Sequence, residues 1–332
     1  MARRIGLLGC GRIGRVHAAS IAANPRAELA VAYDPFEAAA GEVAAQHGGV
    51  AATDARVVLD DDSIDAVVIA SPTPTHVELL TQAVRAGKAV LCEKPIDLDL
   101  ARVDACAAEL AGAEAGVMIG FNRRFDPSIR QVQERVAAGE IGRLEQLTII
   151  SRDPAPPPLS YVRESGGLFR DMTIHDFDLA RFFLGEVVEV TATGANLVDP
   201  AIGEAGDIDS AVVVLRGREG ALASITNSRR ATYGYDQRVE AFGSDATLSV
   251  VNQRPTSVLY SDAGVTDVAA PYLNFFLDRY AAAYAAELDH LLDRMDDGAA
   301  PSPAFADGRA ALVLADAALE SLRTGRTVKV PA

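Results

Sequence analysis

Between Asp171 and Asp178 the sequence reads DMTIHDFD and runs on into LARFFLG, so three carboxylates surround one histidine inside an apolar stretch. Charge beside Leu179, Phe182 and Phe183 is costly to bury without partners. If the stretch is helical, Asp171, His175 and Asp178 fall at i, i+4 and i+7 and share one face. Asp176 points off that stripe, and Met172, Phe177 and Phe182 are left for packing. An imidazole among carboxylates suits proton transfer, a buried structural pair or part of a metal site. The metal reading lacks support, because the remaining histidines (His17, His47, His76 and His290) are scattered and no cysteine cluster joins them.

A second constellation lies at the start of the chain. Gly9-Cys10-Gly11-Arg12-Ile13-Gly14 is a G-x-G-x-x-G that follows an apolar strand and opens a helix. The first glycine permits a tight turn, the second lets a phosphate approach the backbone, and the third allows close helix–strand packing. The helix N-terminus then offers its N–H groups to a pyrophosphate. Asp34 ends the second strand, where an acid binds a ribose diol. A carboxylate there repels the extra phosphate of NADP, and nothing basic follows in DPFEAAA, so the expected cofactor is NAD.

Two further segments extend this site. SPTPTH, with Ser71, Thr73 and His76, ends an apolar strand beside the point where doubly wound sheets bind ligands. CEKPI ends the next strand, and its Lys94, braced by Glu93 and a proline, stands where a substrate meets a nicotinamide. The plainer alternative for Lys94 is a solvated surface lysine.

The elements that must position these groups alternate regularly at first. Strands are expected at 4–9, 28–34, 64–71, 88–95 and 115–121, with helices at 12–23, 36–48, 74–87 and 100–112. That alternation predicts an N-terminal Rossmann domain, a doubly wound parallel sheet with helices on both faces, over 1–123. From 124 to 332 the rhythm changes to longer runs of alternating apolar and polar residues, at 144–152, 187–197, 209–217, 221–230, 237–243 and 246–251. These predict an α/β domain with a large open, mostly antiparallel sheet, closed by helices at 276–295 and 303–325.

Composition excludes some partners. The formal net charge is -15 over 332 residues, with a pI near 4.8. Nucleic-acid binding needs a basic footprint that this chain lacks, whereas local backbone geometry can still hold one small anionic cofactor. Cys10, Cys92 and Cys106 are few, odd in number and not spaced as metal ligands, so they read as reduced thiols of a cytoplasmic protein. The apolar run in MARRIGLLGCGRIG is too short and glycine-broken for a signal sequence, and no run approaches membrane-spanning length.

Taken together, the opening GLLGCGRIGRVHA, CEKP, GFNRRFD (120–126), the spacing GG-x-x-x-D-x-x-x-H-D (166–176) and the strand-rich second half resemble the Gfo/Idh/MocA family of nicotinamide-dependent sugar and polyol oxidoreductases. Within it, SRDPAPPPLSY (151–161), DMTIHDFDLARF (171–182) and YGYDQR (233–238) are similar to the members that act on inositol. The resemblance implies that the polar stripe faces the nicotinamide cleft opposite Lys94. His175 is then the acid/base, Asp171 its charge partner and Asp178 a ligand of a substrate hydroxyl. Either Arg123 or Arg124, together with Asp153 and Tyr235, completes the expected polyol contacts, each with a surface ion pair or sheet position as the plainer alternative. The resemblance further implies oxidation of myo-inositol by NAD and a tetramer built through the second domain's sheet. Related polyols and aldoses are the alternative substrates. A non-catalytic NAD sensor is disfavoured, because it has no need of Lys94 and His175 together.

Overall fold

Strands covered on both faces must be apolar throughout, and the central strands of the first half meet that requirement. The computed structural model describes residues 2–113 and 116–330 and divides the chain into two units. In the first, β1 (Arg3–Leu8), β2 (Ala27–Tyr33), β3 (Val50–Ala52), β4 (Ala66–Ile69), β5 (Ala89–Glu93) and β6 (Val117–Gly120) form one sheet in the order β3-β2-β1-β4-β5-β6. Every neighbouring pair is parallel. All residues of β4 and β6 are buried. Ala115, the first residue expected in the last of these strands, lies outside the described residues. The strand order reverses between β1 and β4, so the segments after them, starting at Gly9 and Ala70, flank the switch point.

The first unit comprises Met1–Phe125 together with Ala281–Leu312. The expected division at 123/124 therefore falls two residues early, and the tail does not belong wholly to the second unit. The reason is packing. The helix Ala281–Asp297 buries Ala283, Tyr284, Leu288, Leu291 and Leu292, and it packs on the helix Arg12–Ala23 and on Asn122–Phe125. Arg26 adds exposed ion pairs to Asp293 and Asp296 at 2.7 and 2.9 Å. The single helix expected over 276–295 is broken into Phe276–Arg279 and Ala281–Asp297.

The second unit starts at Asp126, whose Oδ1 caps the helix Pro127–Ala137 by accepting the Ile129 N–H at 3.0 Å. Its other oxygen pairs with the buried Arg279. Here β7 (Leu144–Arg152), β8 (Val187–Ala195), β9 (Ser210–Gly217), β10 (Leu222–Ser228), β11 (Asp236–Gly243), β12 (Thr247–Val250) and β15 (Val328–Lys329) form a seven-stranded sheet. Its order is β12-β11-β7-β10-β9-β8-β15; β13 (Leu259–Tyr260) and β14 (Val268–Ala269) pair separately. The β7–β10 pair is parallel and the others antiparallel. One face carries Leu147, Ile149, Val213, Leu215 and Ile225 into a core with Phe169, Phe177 and Leu179. The alternation along β9 leaves Val212 and Val214 on the opposite, exposed face.

Candidate functional site

The glycine loop has the stereochemistry that a dinucleotide requires. Gly9 has φ +106°, and a Cβ there would lie 2.5 Å from the Ser71 nitrogen. At Gly14 a Cβ would lie 2.0 Å from Gly9 O, whereas at Gly11 it would meet nothing within 4 Å. Turn, close packing and open approach are thus divided among the three glycines as phosphate binding demands. The helix Arg12–Ala23 has no side-chain cap and no acid in its first turn, which suits its N-terminus to an anion. Burial, with a smaller contribution from Asp34, pushes the Cys10 thiol up to about 11, so this loop residue adds no negative charge at neutral pH.

Asp34 follows β2 and also shapes the loop. Its Oδ2 accepts the Cys10 N–H and its Oδ1 the Phe36 N–H, both at 2.9 Å. Each oxygen keeps a second lone pair for a ribose hydroxyl. Phe36, 76% exposed, presents an aromatic face two residues on.

Three further groups brace the ends of β4 and β5. The His76 ring is buried and lies 2.8 Å from both Pro95 O and Ser71 O, tying the two loops together. Burial lowers its proton affinity against the opposing pull of those carbonyls. Glu93 is buried with Oε1 2.8 Å from His17 Nε2, and the His17 ring sits edge-on to Tyr284. Burial, then the charge of Glu93, raises the Glu287 carboxyl well above the usual range. Lys94 is half-buried at the end of β5, and Thr73 opens the short turn before the His76 helix. Arg123 and Arg124 are both buried; Arg124 reaches Asp307 at 3.2 Å and Ser302 Oγ at 3.4 Å.

In the second unit the DMTIHDFD stretch is not one helix. Asp171 ends the helix Leu168–Asp171, the chain turns at Met172, and His175 lies in the first turn of Thr173–Leu184. At the joint Thr173 Oγ1 donates to Asn227 Oδ1 at 2.8 Å, a tertiary bond that no helical period encodes. Asp171 and His175 are nevertheless the half-exposed members of the stretch, while residues 172–174 and 176–180 are buried. Asp176 is buried and accepts Asn227 Nδ2–H at 2.8 Å. Asp178 is 1% exposed.

Sheet register gathers the other expected groups. Arg152 is paired with Ser228 in the parallel β10 and with Asp236 in the antiparallel β11. Asp153, Arg229 and Tyr235 therefore leave three adjacent strands at the same end. Asp153 is half-buried and donates its N–H to Ser228 O at 2.9 Å; Tyr235 is buried edge-on to Tyr280. Asp171 joins this end of the sheet through Arg229 Nη1, 3.4 Å from its Oδ2, and Tyr161 donates to its Oδ1 at 2.8 Å. Among the described residues no group of three His, Cys, Asp or Glu side chains is arranged for a metal ion.

Comparison with known proteins agrees with these features across both units. Residues 3–121 match an oxidoreductase family with an NAD-binding Rossmann fold, and residues 129–249 match the Gfo/Idh/MocA C-terminal domain. The chain belongs to the Gfo/Idh/MocA family of oxidoreductases. This Gfo/Idh/MocA protein is 49% identical to the inositol 2-dehydrogenase of Rhizobium meliloti, over 99% of this chain and 100% of that one. A crystal structure of a myo-inositol dehydrogenase from Corynebacterium glutamicum is 54% identical, with TM-score 0.98 and both chains fully covered. Scyllo-inositol dehydrogenase from Lactobacillus casei, solved with NAD(H) and scyllo-inositol, is 29% identical with TM-score 0.91, both chains again fully covered.

Tyr161, Asn227 and Arg229 were not anticipated as supports of the Asp171–His175 region. Tyr161 closes the proline-rich SRDPAPPPLSY segment. Asn227 and Arg229 belong to the NSRR run at the end of β10. Their distance along the chain from Asp171 hides the connection until the strands are placed in register.

Proposed function

We propose that this family member is an NAD-dependent inositol 2-dehydrogenase that oxidises myo-inositol to scyllo-inosose. The observation that carries the reading is the cluster at one end of the second unit's sheet. Half-exposed Asp171 is tied to that end through Arg229, with His175 four residues on and Asp153 and Tyr235 leaving adjacent strands beside it. The names of its relatives point to the same substrate class.

Gly9, Gly11, Arg12, Ile13 and Gly14 would hold the pyrophosphate, Asp34 the ribose diol, and Ser71, Thr73 and the braced Glu93–Lys94 segment the nicotinamide end. NAD, when bound, supplies the acceptor for the hydride leaving carbon 2. His175 takes the proton from the axial hydroxyl there, and Asp171 orients the imidazole and stabilises its cationic form. Lys94 steadies the same oxygen as it becomes a ketone. Arg124, Asp153, Asp178 and Tyr235 hydrogen-bond the other ring hydroxyls. Such a site rejects analogues lacking those hydroxyls, because its own polar groups would be left unpaired.

Initial rates with NAD and NADP across inositols, hexoses and simple 2-hydroxy acids test the assignment. Myo-inositol with NAD is expected to be fastest, pyranoses weaker and lactate or malate inert. Asp34→Ala should narrow the preference for NAD, chiefly through the Michaelis constant for cofactor. Robust lactate oxidation with inert inositol, or equal efficiency with both cofactors, would sink the reading. A scyllo-inositol optimum would move the assignment to the sister activity named for the Lactobacillus casei relative.

The reduced state of Cys10, Cys92 and Cys106, all buried and free, supports a cytoplasmic location. Among the described residues no helix is long and apolar enough to cross a membrane. We assign the exposed face of the seven-stranded sheet to contact with further copies of the chain in a tetramer. Val212, Val214, Leu222 and Phe242 are 38–45% exposed on that face. Native mass measurement should find four chains, and a monomer at micromolar concentration would contradict this.

A further inference from the structure

Arg229 is among the largest fully buried side chains, at 1% exposure, and the reaction outlined above gives it no part. A guanidinium out of water persists only where opposite charge and good geometry compensate its desolvation. Its Nη1 lies 3.4 Å from Asp171 Oδ2 and its Nη2 3.5 Å from Asp207 Oδ2. Its backbone N–H donates to Asp209 O at 2.8 Å. Asp207 Oδ1 in turn accepts the Leu168 N–H at 3.0 Å. Leu168 begins, and Asp171 ends, the same four-residue helix. One buried cation therefore links carboxylates at both ends of the element that presents Asp171.

Other charged and titratable groups on the elements packed here include Tyr161, Arg163, Glu164, Arg170, Asp153, Asp176, Asp178, Arg181, Asp209 and Arg230, of which Arg170 pairs with Asp316 at 2.6 Å. Tyr161 donates to the second oxygen of Asp171. Asp176 is held by Asn227. The Asp209 carboxylate accepts the N–H groups of Leu197, Val198 and Asp199. Arg230 reaches Leu197 O.

We propose that Arg229 and Asp207 are a positioning pair that fixes Asp171 and sets the charge felt by His175 during proton transfer. This rests on the reading of Asp171 and His175 as the proton-handling pair. A positive charge nearby disfavours the imidazolium and a negative charge favours it. Removing Arg229 therefore raises the proton affinity of His175, and removing the charge of Asp207 lowers it. A purely structural role does not produce opposite shifts.

The test is the pH dependence of kcat/KM for myo-inositol at saturating NAD, in the intact enzyme and in R229Q, R229K, D207N and H175A, with thermal unfolding as the fold control. The acid limb should move to higher pH in R229Q and to lower pH in D207N. It should stay near the parental position in R229K, which keeps the charge but loses turnover with the fork geometry. D207N retains the oxygen that accepts Leu168 N–H, so it decides the question even if R229Q fails to fold. An unmoved limb in D207N, or shifts of the same sign in D207N and R229Q, would overturn the proposal. H175A with parental turnover would instead defeat the underlying proton-transfer reading. An inactive H175A with an unmoved D207N limb defeats the positioning role alone.

Discussion

Replacing His175 with alanine is expected to lower turnover ~10²–10⁴-fold, the usual contribution of a positioned general base. NAD affinity, measured by calorimetric titration, should stay near the parental value, because the glycine loop and Asp34 belong to the other unit. His175 is half-exposed in a stretch whose neighbours are buried, and its Nδ1 lies on the buried side of the ring. Asp171 is held on one oxygen by Tyr161 and approached on the other by Arg229, which fixes the carboxylate proposed to orient the ring. Asp171→Asn keeps an acceptor for Tyr161 but removes the charge that stabilises imidazolium. It should lose activity as well, and the Asp171/His175 double variant should lose less than the two single losses combined, because the residues act as a unit. Parental activity should rise with pH as the histidine loses its resting proton. Near-parental turnover in His175→Ala would make the crowded stretch structural.

Lys94→Ala should cost about 10²-fold in turnover, on the scale of removing one donor aimed at a reacting oxygen. The residue follows β5 in a segment pinned by two buried histidines, His17 on Glu93 and His76 on Pro95. Those braces keep the backbone in place when the side chain is cut back, so the melting temperature should change little. An ammonium that steadies the substrate oxygen helps most as charge develops, so kcat should fall more than the substrate Michaelis constant rises. Steady-state rates with a thermal melt check both points. A fall in melting temperature that tracks the loss of activity, or unchanged turnover, would assign Lys94 to the scaffold.

Most of this architecture is written in local pattern. The strand over 144–152 and the helix over 12–23 have the bounds that periodicity predicts, because burial of one face or of both leaves its period in the sequence. The glycine loop was legible for the same reason, since each glycine answers a local steric demand. What stayed hidden depends on contacts distant in sequence. The turn at Met172 is held by Thr173 reaching Asn227 across the fold, so the stripe from Asp171 to Asp178 is interrupted where a regular helix was expected. The return of 281–312 to the first unit is set by which surface Tyr284 and Leu288 cover, and amphipathic spacing alone does not name that surface. Asp34 shows a third limit: its type and place suggest a ribose ligand, but not the Cys10 and Phe36 N–H groups it holds.

In the proposed reaction a hydride leaves carbon 2 of myo-inositol for NAD while His175 takes the hydroxyl proton. Its most direct test is to supply myo-inositol deuterated at carbon 2 and determine the deuterium content of the NADH formed by mass spectrometry. One deuterium per NADH is expected, with scyllo-inosose as the other product. NADH free of deuterium, or no NADH at all, would contradict it.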